Sequence, residues 1–228
     1  MIRVLLCDDH ALIRRGMRDT LVDAGDIEVL GEVGDYGALR DQLRSGPRCD
    51  VLLLDISVPV SAENSNDYPI LHLIPKLMQL YPHMNILVIS MFAERGLIRG
   101  TMEAGANGYI LKDDRSTLVD LANVVLTIAG GGIHLSQKAH QLFLSDQLNR
   151  TGNTLSLRQL EALSLCAAFP DALTTELSQE MAVANSTFRN LLSGAYIKLN
   201  VRTRTAAISK ARSLGIITPF APPTPSAD

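Results

Sequence analysis

Cysteine is scarce in this chain of 228 residues: Cys7, Cys49 and Cys166 are odd in number and far apart. That usage argues against a disulfide framework and against a zinc site, and it fits a reducing compartment. Long apolar runs are missing too. No run approaches the roughly 18–20 residues of a membrane span, and Met1-Ile2-Arg3 leads straight into strand-like sequence without the apolar stretch and cleavage site of a secretory signal. A large charge excess of either sign is also absent, since 21 Lys and Arg face 24 Asp and Glu, a net of −3. The expectation is a soluble cytoplasmic protein with no membrane partner. No internal repeat is found.

With 46% hydrophobic residues the chain can bury a core, and its length suits one large domain or two small ones. The near-neutral charge hides an asymmetry. Residues 1–150 carry 14 Lys and Arg against 19 Asp and Glu, a balance of −5, whereas residues 151–228 carry 7 against 5, a balance of +2. Two domains with different partners are expected.

Residues 1–128 alternate short apolar runs with amphipathic stretches. The runs Ile2 to Cys7, Ile27 to Val33, Val51 to Leu54, Ile86 to Ile89 and Gly108 to Leu111 read as strands. Helices are expected at the Ile13, Met17, Leu21 stripe, at Tyr36 to Leu43, Ile70 to Leu80, Ala93 to Ala104 and Ser116 to Ile128. Continuous apolar strands between helices imply a five-stranded parallel sheet covered on both faces. Residues 129–153 read as a linker with a helical part, 154–216 as a purely helical domain, and 217–228, with Pro219, Pro222, Pro223 and Pro225, as a disordered tail.

In such a sheet ligands bind beyond the C-terminal strand ends. Asp8, Asp9, Asp55, Ser90 and Lys112 each follow an apolar run directly. Singly, each has a plain explanation as a helix cap, turn residue or solvated charge. Together they place three carboxylates, a hydroxyl and an ammonium on one rim. Clustered carboxylates raise one another's pKa unless a cation compensates, and Mg2+ takes oxygen ligands while keeping water and phosphate oxygens. A carboxylate in that setting can act as a nucleophile toward a phosphoryl group, with Ser90 and Lys112 holding its oxygens.

The segments Ile2 to His10, Asp55-Ile56-Ser57-Val58-Pro59, Ser90-Met91 and Gly108 to Lys112 resemble the receiver domain of two-component response regulators, and Arg14-Arg15-Gly16 is similar to the NarL/FixJ subfamily. The resemblance implies a flavodoxin-like, doubly wound α/β fold. It makes Asp55 the phosphoacceptor, Asp8, Asp9, Asp55 and the main-chain carbonyl of Ser57 the Mg2+ ligands, Ser90 and Lys112 the phosphoryl contacts, and Tyr109 the aromatic switch. A sensor histidine kinase is the implied donor in a bacterial cytoplasm. No small-molecule substrate and no enzymatic turnover beyond slow autodephosphorylation are implied. Two features depart from the family: Val60 to Pro69 (VSAENSNDYP) is several residues longer and lacks glycine, adding Glu63 and Asp67, and Asp113 stands where many receivers have proline.

Residues 155–214 resemble the LuxR-type helix-turn-helix through Leu155 to Leu163, Thr187 to Asn190 and Lys198 to Thr205. Phe188, Leu192, Ala195 and Leu199 form a buried stripe at 3/4 spacing, leaving Asn185, Ser186, Arg189, Asn190 and Ser193 outward. The resemblance implies double-stranded DNA as a partner, bound by a homodimer, with Asn185, Ser186, Arg189, Asn190, Lys198 and Arg204 as contacts. The departures are a longer turn containing Phe169-Pro170-Asp171, Leu191 in place of histidine, Asn200 in place of glycine, and one arginine in the first turns of the recognition helix. Two readings stay open: a phosphorylation-controlled transcription factor, or a receiver-controlled regulator whose helical domain binds a protein or binds DNA only with a partner. A phosphohydrolase with an aspartyl-phosphate intermediate is set aside, because Ser57 replaces the second acid of an Asp-x-Asp pair.

Overall fold

A computed structural model describes residues 1–148 and 155–219. The receiver part begins with β1 (Ile2–Cys7), α1 (Ala11–Val22), β2 (Ile27–Val33), α2 (Tyr36–Ser45) and β3 (Val51–Leu54). It continues with β4 (Pro59–Ser61), β5 (Asn64–Asp67), α3 (Ile70–Leu80), β6 (Asn85–Ser90), α4 (Arg95–Glu103), β7 (Gly108–Leu111), α5 (Arg115–Val119) and α6 (Leu121–Ala129). Then follow β8 (His134–Leu135), α7 (Gln137–Leu148), α8 (Leu157–Ala168), α9 (Thr174–Glu180), α10 (Asn185–Leu199) and α11 (Arg204–Ser213).

The main sheet is parallel, in the order β2-β1-β3-β6-β7-β8. Six strands therefore replace the expected five. The sixth, β8, has two residues and pairs with β7 at Gly108 and Tyr109, too short to leave a hydrophobic period in the sequence. The helix expected from Ser116 to Ile128 is broken at Asp120 into α5 and α6. Strand alternation sends Leu5, Cys7, Leu52, Leu54, Ile86, Val88, Tyr109 and Leu111 to one face. Val4, Leu6, Val51, Leu53, Leu87, Ile89 and Ile110 go to the other, against α1 and α6.

The extended segment after β3 is a two-stranded antiparallel hairpin, β4–β5. Pro69 caps α3, and Pro75 lies inside it, where its missing N–H leaves the Leu71 carbonyl without its helix partner. Ser156 caps α8 in a reciprocal capping box with Gln159.

The core of the first face runs without interruption into the helical domain, taking in Leu160, Leu163, Phe188, Leu192, Ala195 and Leu199. Helix α8 packs on α3 and α4, so the domains are docked. Ile217, counted in the tail from sequence, is buried in this core. The rest of the tail, 220–228, and linker residues 149–154 lie outside the described residues.

Candidate functional site: the acidic rim

Each strand that ends on the rim delivers one polar residue. Asp8 follows β1, Asp55 follows β3, Ser90 closes β6 and Lys112 follows β7. Asp8, Asp55 and Ser90 are buried. Lys112 Nζ lies 2.7 Å from Asp8 Oδ2 and 2.6 Å from Asp55 Oδ2, and the Ile56 amide donates to Asp55 Oδ1 at 2.7 Å. The His10 amide donates to Asp8 Oδ1 at 2.8 Å, and Arg14 donates to the Asp8 carbonyl. Asp9 is more open and meets His10 Nδ1 at 2.5 Å.

Burial raises the Asp55 pKa; the Lys112 charge opposes this and the Asp8 charge adds to it. Lys112 is raised despite burial, because Asp55 and Asp8 both stabilise its charge. Carboxyl atoms of Asp8, Asp9 and Asp55 and a ring nitrogen of His10 lie within 4.8 Å of one another. Three oxygen donors within reach of one another fit a hard divalent ion, so the acidic cluster of the rim is consistent with metal binding. Ser57 sits half-buried in the loop after Asp55, in the chain position from which its carbonyl was expected to serve.

Ser90 Oγ accepts from the Phe92 amide at 3.1 Å. Tyr109 is fully buried, and its hydroxyl donates to the Phe92 carbonyl at 2.7 Å. Ser90, expected at the phosphoryl group, and Tyr109, expected as the switch, thus both bond Phe92 of the β6–α4 loop, one strand away from Asp55.

Sequence reasoning did not name His10 as a site residue, although it follows the acidic pair directly. Asp67, at the end of β5, was noted only as part of an extended loop. Burial and then the charges of Asp55 and Asp9 push its pKa to about 6, with Arg212 of α11 opposing. The hairpin therefore brings a fourth carboxylate into the field of the rim.

The six residues expected at DNA divide. Ser186, Arg189 and Asn190 are exposed along the start of α10, while Asn185 is half-buried with Oδ1 lacking a hydrogen-bond partner. Lys198 donates to Gln159 Oε1 at 3.1 Å on the cleft that faces α4. Arg204 donates to the carbonyls of Ala172 at 2.9 Å and Phe169 at 2.8 Å. It therefore staples the longer turn between α8 and α9, a structural task that its basic charge alone did not suggest.

The sequence profile described as "Response regulator receiver domain" matches residues 4–123. The uncharacterised transcriptional regulatory protein YvfU of Bacillus subtilis is 28% identical over 218 residues, covering 95% of this chain and 100% of YvfU. The DNA-binding transcriptional activator DevR/DosR of Mycobacterium tuberculosis is 26% identical over 217 residues, covering 94% of this chain and 95% of that protein. RcsB of Salmonella enterica serovar Typhimurium, bound to promoter rprA with a phosphomimetic, is similar in structure with a TM-score of 0.65. Its identity is 23%, over 92% of this chain and 97% of that one. At that identity the likeness establishes the two-domain fold.

Proposed function

The chain belongs to the response regulator receiver family, in its NarL/FixJ type, and from that premise we propose that phosphorylation of Asp55 by a sensor histidine kinase controls DNA binding by α9 and α10. The observation that carries this reading is the buried Asp55 carboxylate held by Lys112 beside Asp8 and Asp9. In the reaction an Asp55 oxygen forms a bond to phosphorus as the P–N bond of the donor phosphohistidine breaks. Lys112 shifts to the new phosphoryl oxygens, and the Ser90 hydroxyl donates to another. Mg2+, held by Asp8, Asp9, Asp55 and the Ser57 carbonyl, would supply the charge that lets these acids accept a phosphoryl dianion.

Downstream, the reading assigns a homodimer on two half-sites of duplex DNA in a bacterial cytoplasm, with Arg189 and Asn190 at base edges and Asn185 and Ser186 beside them. The protein turns over no substrate of its own beyond slow loss of the phosphoryl group. Among the described residues no helix is long and apolar enough to cross a membrane.

The test is incubation with Mg2+ and an acyl phosphate, read by intact mass. One added phosphate is expected on the wild type and none on Asp55→Asn; equal labelling of both sinks the assignment. A second reading, in which the helical domain binds a protein or needs a partner on DNA, is favoured by the bonds of Lys198 and Arg204 inside the fold. Binding of the phosphorylated protein to genomic fragments across a salt series separates the two.

A further inference from the structure

We infer that the two domains are held together by a charged latch centred on His72, and that this latch loosens as pH rises above the ordinary histidine range. His72 lies on α3 and is only 3% exposed. Its Nδ1 is 2.8 Å from Glu161 Oε1 on α8, and its Nε2 is 3.4 Å from Glu180 Oε1 on α9. Glu180 also accepts from Lys76 Nζ at 2.6 Å and from the Tyr68 hydroxyl at 3.0 Å. The second oxygen of Glu161 accepts from Arg158 at 2.8 Å. The receiver thus supplies His72, Lys76 and Tyr68, and the helical domain supplies Glu161, Glu180 and Arg158. Stacking of Tyr68 on Tyr36 at 3.7 Å and its edge contact with Phe169 wall the group in.

A neutral imidazole carries one N–H and can serve one carboxylate; the imidazolium donates to Glu161 and brings its second N–H within ion-pair reach of Glu180. Deprotonation turns a ring lone pair toward either the buried Glu161 or the more exposed Glu180, and the arrangement costs most at Glu161, where the interface is of low dielectric. Burial by itself lowers the His72 pKa, but hydrogen bonds to Glu161 and Glu180 outweigh it and the net direction is upward. The His72 bond, joined by Lys76 and against burial, holds Glu180 well below the usual carboxylate range. The sign follows. A raised histidine contributes fully below about 6.5 and loses its contribution as pH rises through the raised value. The depressed Glu180 contributes above the ordinary carboxylate range and fails only in strong acid. Solvent reaches the latch through a cavity of about 670 Å³ lined by Tyr68, Lys76, Phe169 and Glu180.

The chain has no tryptophan, so Phe169→Trp places a single fluorophore at the interface. In the full-length reporter protein a red shift of emission is expected between pH 6 and pH 9, with a midpoint above that of free histidine. In the His72→Gln background that transition should vanish, with far-UV circular dichroism confirming the fold. Should His72→Gln not fold, Glu180→Gln serves in its place and should move the midpoint downward. A reporter silent across this range overturns the latch. So does a transition of unchanged midpoint in the folded variant.

Discussion

The Lys112 ammonium lies 2.6 Å from Asp55 with both side chains no more than 4% exposed, so the residue that would accept a phosphoryl group is already in an ion pair. The same cation is shared with Asp8. Removing one member of a buried charged set costs about 3–5 kcal/mol because the remaining charges lose compensation. Lys112→Met keeps the apolar stem and deletes the charge. It should lower stability by about that amount in urea unfolding without divalent cations, and millimolar Mg2+ should restore part of it. A variant as stable as wild type in chelator would show that Lys112 does not compensate these acids.

Two carboxyls at the rim are raised, and this sets a pH dependence. Asp55 is raised mainly by burial, and Asp67 to about 6 by burial and by the charges of Asp55 and Asp9. An acid with a raised folded pKa holds its proton more tightly in the folded state. Stability therefore falls as pH climbs from the ordinary carboxylate range, near 3.9, through the raised value. Asp67→Asn should then raise Tm by about 2–4 °C at pH 7 in chelator, the shift expected for a 1 kcal/mol gain in a chain of this size. At pH 4 the gain should disappear. Thermal melts at the two pH values decide it, and an equal gain at both would assign the effect to something other than charge.

The charged residues of the rim were legible because strand ends are local features: an apolar run stopping at Asp8, Asp55 or Lys112 can be read without knowing what lies opposite. The stripe Phe188, Leu192, Ala195, Leu199 was legible for the same reason, being a helix period, and all four are buried. The latch was not. His72 and Glu161 stand 89 positions apart, and only docking of α8 on α3 brings them together. The strand β8 and the hairpin β4–β5 escaped because two to four residues carry too little period, and β5 (Asn64–Asp67) has no apolar residue at all.

Arg189 and Arg204 were both expected at DNA, and the structure separates their roles. Arg204 bonds carbonyls of the α8–α9 turn, so Arg204→Ala should cost about 1.5–3 kcal/mol, the range for hydrogen bonds from a charged group. Its thermal melt should fall with its DNA affinity. Arg189 is exposed, so little of the fold should depend on it. Arg189→Ala should keep Tm and weaken DNA binding, lowering the salt slope by about 1 if it meets a phosphate or relaxing selectivity if it reads a base. Loss of DNA binding by Arg204→Ala at unchanged Tm would return that residue to the interface.

The domains also meet glycine to glycine. A Cβ on Gly96 of α4 would lie 2.6 Å from Ile216 Cγ2 and 3.0 Å from the Gly215 carbonyl, while Gly215 has φ +60°, a left-handed position that a side chain strains. Because backbone stands on the far side, the contact cannot be relieved by turning a side chain. Gly96→Val should therefore express its overpacking, about 1–3 kcal/mol, as separation of the domains, since the interface can part while the sheet core stays intact. Small-angle scattering should show a larger radius of gyration, with Asp55 still phosphorylated by an acyl phosphate. Unlike the His72 latch, this wedge carries no proton, so the radius should already be enlarged at pH 6, where the latch is intact. An unchanged radius would mean that the close approach of Gly96 and Ile216 does not hold the domains together.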